Sequence, residues 1–334
     1  MLTVAVPSAQ VAESVGECPG ATLVVWDPRD GEAPPELRDE IEVLCMPHGT
    51  GGRRVYERVA QLPKLAVIQL ASAGYEHALP FIPPGVALAN ARGVHDTRTA
   101  EMALLLALAS QRGLPQFLDA QRNSTWAPEF FPSVADQRVL VVGYGSIGAA
   151  IGARFRACEA HVEGVARTAR FVPDAEAGSA HTAPDAGAGS GVDGHAGVVV
   201  HAVADLPSVL PHADIVVLVT PLDDSTRHLV DAEFLSHMHD GALLVNVGRG
   251  GVVDTDALLA ELQAGRLRAA LDVVDPEPLP QDHPLWSAPG CIVVPHIAGW
   301  AQLDDPRYVD LARRQIAARV AGEAPVNLVA GPGA

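Results

Sequence analysis

Ten residues, Val139-Leu140-Val141-Val142-Gly143-Tyr144-Gly145-Ser146-Ile147-Gly148, leave the middle of this chain little conformational choice. An apolar strand runs into Gly-x-Gly-x-x-Gly, and the residues from Ala149 to Arg156 continue as a helix. Gly143 permits a tight turn, Gly145 lets a pyrophosphate approach the backbone, and Gly148 lets the helix pack on the strand. Phosphates would then rest at the helix N-terminus, where the free N–H groups of Ser146 and Ile147 and the helix dipole favour anions. A second strand, His161–Ala166, follows roughly 20 residues after the glycines, which completes the context of a dinucleotide-binding unit.

The end of that second strand separates one dinucleotide from the other. An acidic residue there would hydrogen-bond the adenosine ribose 2′-hydroxyl, whereas an arginine accommodates a 2′-phosphate. The chain reads Val165-Ala166-Arg167-Thr168-Ala169-Arg170, with no acid and two arginines. Arg167 and Arg170 therefore predict NADP(H) in preference to NAD(H).

Short apolar runs recur on both sides of this motif. Val4–Val6, Thr22–Trp26, Glu42–Met46, Ala66–Leu70 and Val86–Ala89 precede it. Val198–Ala202, Ile215–Thr220, Ala242–Val247, Ala269–Val274 and Ile292–Val294 follow it. Helical patterns separate most of them, and strands apolar on both faces belong to parallel sheets covered by helices. At 334 residues the chain exceeds the ~150 of one ordinary domain, so two α/β domains are expected. A helix from about Thr97 to Arg112 has a middle that is apolar nearly all round, which fits burial between two domains. Residues Gly113 to Asp136, with three prolines, read as an irregular arm. Pro173 to Gly197, rich in Ala, Gly, Asp, His and Ser, reads as a flexible insertion. The tail is helical from about Asp310 to Val320 and then reads as coil.

Charge and composition exclude several classes. Lys and Arg total 23 against 40 Asp and Glu, a formal charge of −17, which opposes a nucleic-acid or anionic-membrane partner. The longest apolar run, Met102 to Ala109, is under half the ~18 residues of a membrane span. Leu2 to Pro7 reads as a strand rather than a leader, so a cytoplasmic protein is expected. Cys18, Cys45, Cys158 and Cys291 have no paired spacing and read as buried thiols. No metal site is expected: His181, His195 and His201 have no cysteine partners and no fixed spacing.

Three later segments, Leu244-Val245-Asn246-Val247-Gly248-Arg249-Gly250-Gly251-Val252-Val253-Asp254, Ala270-Leu271-Asp272-Val273-Val274-Asp275-Pro276-Glu277-Pro278-Leu279 and Val294-Pro295-His296-Ile297-Ala298-Gly299, join the glycine motif and Ala71-Ser72-Ala73-Gly74. In this order and at these spacings they resemble the D-isomer-specific 2-hydroxyacid dehydrogenases, in particular the glyoxylate/hydroxypyruvate reductase-like members. The resemblance implies a doubly wound parallel-sheet (Rossmann) nucleotide domain, about 97–296, inserted into a flavodoxin-like α/β substrate domain, about 1–96 and 297–334. It also implies a homodimer with the 113–132 segment as an arm, substrate carboxylate binding at Ala73 and Gly74, and Asp272 at the nicotinamide carboxamide.

The residues support that chemistry on their own terms. Arg249, Glu277 and His296 fall at or just beyond the C-terminal ends of parallel strands, the edge where open α/β sheets bind ligands. Hydride addition to a ketone leaves an alkoxide that must gain a proton, and histidine is a natural donor near neutral pH. A neighbouring carboxylate favours the charged imidazole and orients its ring, which suits Glu277. Arg249 can hold a small 2-oxo or 2-hydroxy acid through a bidentate fork. Thr220-Pro221, ending a strand beside the adenosine, and Val247 are further cofactor-side candidates. Trp300 lines either the substrate pocket or the core. Two other activities fit the same scaffold: phosphite oxidation, and dinucleotide sensing without catalysis as in corepressor relatives. Formate dehydrogenases of the superfamily carry Gln where Glu277 stands, which counts against that activity.

Overall fold

The computed structural model describes residues 1–49, 52–174, 197–300 and 305–334. Residues 175–196 of the expected insertion, with His181 and His195, lie outside the described residues. The chain divides into two compact units, Met1–His95 with Trp300–Ala334, and Asp96–Gly299.

In chain order the strands are β1 Leu2–Val6, β2 Ala21–Val25, β3 Val43–Cys45, β4 Val67–Gln69, β5 Ala87–Ala89, β6 Arg138–Val142 and β7 His161–Ala166. They continue as β8 Arg170–Pro173, β9 Gly197–Ala202, β10 Ile215–Leu218, β11 Leu243–Asn246, β12 Arg268–Leu271, β13 Cys291–Val293 and β14 Leu328–Ala330.

The first unit holds one sheet in the order β14-β5-β4-β3-β1-β2, parallel from β5 to β2. Its strands are apolar on both faces because both faces are covered. Ala5, Leu44, Ile68 and Leu88 pack with Tyr56 and Val59 of the helix Arg53–Val59. Val4, Val6, Val43, Cys45 and Val67 pack against Val11 and Val15 of the helix Ala9–Val15 and Val309, Ala312 and Ile316 of the helix Pro306–Val320. Full burial of each large aliphatic side chain contributes roughly 1.5–3 kcal/mol.

The second unit holds the order β13-β12-β11-β10-β6-β7-β9-β8, parallel except at β8. On one face Val141, Val217 and Val245 meet Ile151 and Phe155 of the helix Ser146–Ala157 and Ala103 and Leu106 of the helix Asp96–Gln111. On the other, Leu140, Leu218 and Leu244 meet Leu235, Leu258 and Leu262. Strand order reverses between β6 and β10, so a crevice opens above the glycine motif.

Three local expectations need correction. The tail does not end in coil, since β14 pairs antiparallel with the edge strand β5. Residues 170–173 form β8 on the edge of β9, where Gly197 lets the backbone of Val172 and the ring of Phe171 come close. Both strands exist because an edge offers them unpaired backbone partners, a tertiary cause with no local pattern. The 113–136 arm opens with the helix Leu114–Arg122, started by Gly113 at φ 64° and tolerant of Pro115 in its first turn.

Candidate active site

Every candidate of the second unit lies at the C-terminal edge of its sheet. Gly143 follows β6, Arg167 follows β7, Thr220 and Pro221 follow β10, and Val247 and Arg249 follow β11. Asp272 directly follows β12, and His296 comes three residues after β13.

The glycine loop is built by close backbone approach. Gly143 has φ 107°, and a Cβ there would press on the backbone of Val219 and Thr220. A Cβ on Gly148 would overlap the Gly143 carbonyl, so helix and strand touch through bare backbone. Around Gly145 the space is open, with nothing within 4 Å of where a Cβ would stand. The Thr220 hydroxyl is buried nearby without a hydrogen-bond partner. Open space, free N–H groups at the start of the helix Ser146–Ala157 and an orphaned hydroxyl fit a dinucleotide phosphate.

Tyr144, between the first two glycines, turns inward. Its ring lies against Gly164 and its hydroxyl against Gly152, and burial pushes the phenol above its ordinary range. The two arginines after β7 differ. Arg170 Nη2 donates to the Tyr144 carbonyl at 2.5 Å and so holds the glycine loop. Arg167 is exposed, with no partner among the described residues.

His296 and Glu277 meet from two loops. His296 Nδ1 lies 2.5 Å from Glu277 Oε1, both side chains being less than half exposed. A carboxylate only accepts, so Nδ1 carries a proton and Nε2 is not engaged by Glu277. His296 has φ 51°, the left-handed region, and its N–H donates to the Asp272 carbonyl at 2.7 Å. The buried Asp272 carboxylate accepts from Ile297 N at 2.8 Å and Ala298 N at 3.1 Å. Burial raises Asp272 above the usual carboxylate range, opposed by those two N–H groups and by the nearby imidazole.

Arg249 sits on a turn braced by Asn246, whose side chain accepts from Gly248 N and donates to the Arg249 carbonyl, both at 3.0 Å. The guanidinium donates to the Gly248 carbonyl at 2.8 Å. Beside it, a Cβ on Gly250 would overlap the backbone of Val274, and Thr255 Oγ1 donates to Asp275 O at 2.8 Å. The arginine turn is thus seated directly on the loop that carries Glu277.

The chain matches the D-isomer specific 2-hydroxyacid dehydrogenase NAD-binding domain over residues 103–186 and 192–298. It belongs to that family. The family's NAD-binding domain is the second unit, a Rossmann sheet, and the protein is an NAD(P)-dependent oxidoreductase of 2-hydroxy acids. A glyoxylate reductase of Thermofilum pendens is 29% identical over 318 residues, covering 91% of this chain and 85% of its own. A glyoxylate/hydroxypyruvate reductase B of Citrobacter koseri is 31% identical over 262 residues, covering 71% and 69%. A crystal structure of a D-isomer specific 2-hydroxyacid dehydrogenase from Xanthobacter autotrophicus, in complex with NADPH and MES, superposes with a TM-score of 0.76. It is 27% identical and covers 98% of both chains.

In the dehydrogenase's first unit, the turn Ala71–Gly74 follows β4 at the corresponding sheet edge. Trp300 is 73% exposed, which removes it from the core. Among the described residues no three His, Cys, Asp or Glu side chains gather as a metal site, and His201 instead pairs with Glu163 at 2.7 Å. No helix among them is long and apolar enough to cross a membrane. Sequence reasoning missed Gly250, Thr255 and Asn90, the last of which donates to the Ala73 carbonyl. Asn90 directly follows β5, so its strand-end position was the available signal.

Proposed function

We propose that the dehydrogenase reduces small 2-oxo acids of the glyoxylate and hydroxypyruvate type to D-2-hydroxy acids, with NADP(H) preferred over NAD(H). The observation that carries this reading is the 2.5 Å His296–Glu277 pair at the same sheet edge as Arg249 and the glycine loop. The names of the two curated relatives support the substrate class.

When bound, a reduced nicotinamide would supply the hydride for the substrate carbonyl carbon. His296 Nε2 gives a proton to the carbonyl oxygen, and Glu277 holds the ring and offsets the charge that the imidazole loses and regains. Arg249 grips the carboxylate and polarises the carbonyl through its planar fork. In the first unit, the N–H groups of Ala73 and Gly74 are the backbone donors for a substrate carboxylate in this reading. Gly143, Gly145, Ser146, Ile147 and Gly148 would hold the pyrophosphate, with Thr220, Pro221 and Val247 as further residues on the nucleotide side. Asp272 Oδ2 accepts a single long N–H bond, which leaves it capacity for the nicotinamide carboxamide.

The cofactor preference rests on exposed Arg167 at the end of β7 and on the absence of an acid there. The NADPH bound by the Xanthobacter relative supports it. We further propose a homodimer, supported by Trp126 and Phe130, which are 95% and 105% exposed and belong to none of the cores. A cytoplasmic setting is supported by four unpaired thiols. The test is a panel of 2-oxo acids followed by the near-ultraviolet absorbance of NADPH, with chiral analysis of the product. Turnover of glyoxylate or hydroxypyruvate, and a D product from the latter, is expected. No turnover across the panel with either cofactor would refute the reading.

A further inference from the structure

The turn Ala71–Gly74 has its carbonyl groups drawn inward. The Ala71 carbonyl lies 2.6 Å from His95 Nε2, which must therefore be the protonated nitrogen. The Ala73 carbonyl accepts from Asn90 Nδ2 at 2.7 Å, and the Gly74 carbonyl from Ser72 Oγ at 2.7 Å. The N–H groups of Ser72, Ala73 and Gly74 have no acceptor among the described residues. Three carbonyls satisfied from within and three consecutive free N–H groups make the turn an anion-binding concavity.

Asn90 is the member of this frame whose geometry is locked at every atom. Its Oδ1 accepts from Arg92 N at 3.2 Å, and its backbone N–H donates to Asn327 O at 3.1 Å. Its carbonyl accepts from the fully buried Gln69 at 3.0 Å. The residue is 7% exposed, and the bond from Nδ2 goes to the Ala73 carbonyl. One anionic group does border the turn: Glu76 Oε2 accepts from Tyr75 N at 2.9 Å, the next N–H along. Without Asn90 and Ser72, the peptide planes of residues 72–74 could rotate and turn carbonyl oxygens toward an incoming carboxylate.

We propose that Asn90, with Ser72, is a positioning residue for the substrate carboxylate: it aims the N–H groups of the 72–74 turn by holding its carbonyls. This rests on the functional reading above. Hydrogen-bond strength falls steeply with misalignment, and a bond to a charged acceptor is worth about tenfold or more in binding. Asn90→Ala should therefore raise KM for glyoxylate about tenfold, with kcat at saturation and NADPH binding nearly unchanged, and Ser72→Ala should do so by about threefold.

The experiment measures kcat and KM for both variants, and titrates oxalate calorimetrically into the NADP-loaded protein as a carboxylate probe. Weaker oxalate binding in step with the raised KM is expected. Wild-type KM and oxalate affinity in both variants, or a kcat loss without a KM change, would overturn the inference. Should Asn90→Ala fail to fold, Ser72→Ala decides alone. A wild type that neither reduces 2-oxo acids nor binds oxalate would instead refute the underlying reading.

Discussion

His296 presents its imidazole from a backbone conformation that costs an L-residue roughly 1–2 kcal/mol. Its φ of 51° is held by the N–H bond to Asp272 O and by the Asp272 carboxylate, which binds the next two N–H groups. Asparagine tolerates this conformation well. His296→Asn should therefore fold normally and bind NADPH, yet lose on the order of 10²-fold or more in kcat, because only the proton donor is gone. Turnover near wild type at neutral pH would remove His296 from the chemistry. Asp272 supplies a test of sign. Its folded value is raised by burial, so the folded state holds that proton more tightly than the unfolded chain. The carboxyl therefore costs stability progressively as pH rises from its ordinary value, about 4, through the raised one, and the cost is constant above that. Asp272→Asn lacks this term. Denaturation across the interval should show the variant gaining on wild type as pH rises, on top of a fixed loss from weaker acceptance at Ile297 and Ala298. A difference independent of pH would mean that Asp272 titrates alike in both states.

The loop after β7 and the glycine loop work as one element, joined by the Arg170 bond to the Tyr144 carbonyl. The two arginines should therefore separate in kinetics. Arg170→Ala loosens the loop proposed to hold the pyrophosphate, which both cofactors share, and should lower kcat/KM for NADPH and NADH together. Arg167→Ala removes only an exposed cation, and a charge-assisted bond to a 2′-phosphate is worth roughly 10-fold or more. It should depress kcat/KM with NADPH alone. Adding Ala166→Asp supplies an acceptor for the ribose hydroxyl and repels the phosphate, so Ala166→Asp with Arg167→Ala should favour NADH. Wild-type preference for NADH would show that Arg167 serves only solvation.

Two fully exposed aromatic residues are unusual on an isolated subunit, and Trp126 and Phe130 follow a helix with Leu114 and Leu118 also exposed. A second copy is the expected cover. Trp126→Ser with Phe130→Ser should shift sedimentation from dimer toward monomer, with the secondary structure retained, because neither side chain contributes to a core. A wild-type monomer at micromolar concentration would refute the dimer, and an unshifted dimeric double variant would place the interface elsewhere.

Strand–glycine–helix order, apolar strands and strand-end polar residues are local patterns, and they were enough to specify the Rossmann sheet and to place Arg249, Glu277 and His296 on one edge. Backbone sterics and burial on two faces act within a few residues, so the chain carries them in plain text. The 2.5 Å approach of Glu277 to His296 joins residues 19 apart and depends on where two loops land. The same holds for β8 and β14, which need an open sheet edge, for Gly250 against Val274, and for Asn90 reaching the turn 17 residues before it. None of these has a sequence period, because each partner is supplied by a different strand. Strand order and loop packing within each sheet, rather than any local propensity, decide which polar strand-end residues hold the backbone and which are left to meet a ligand.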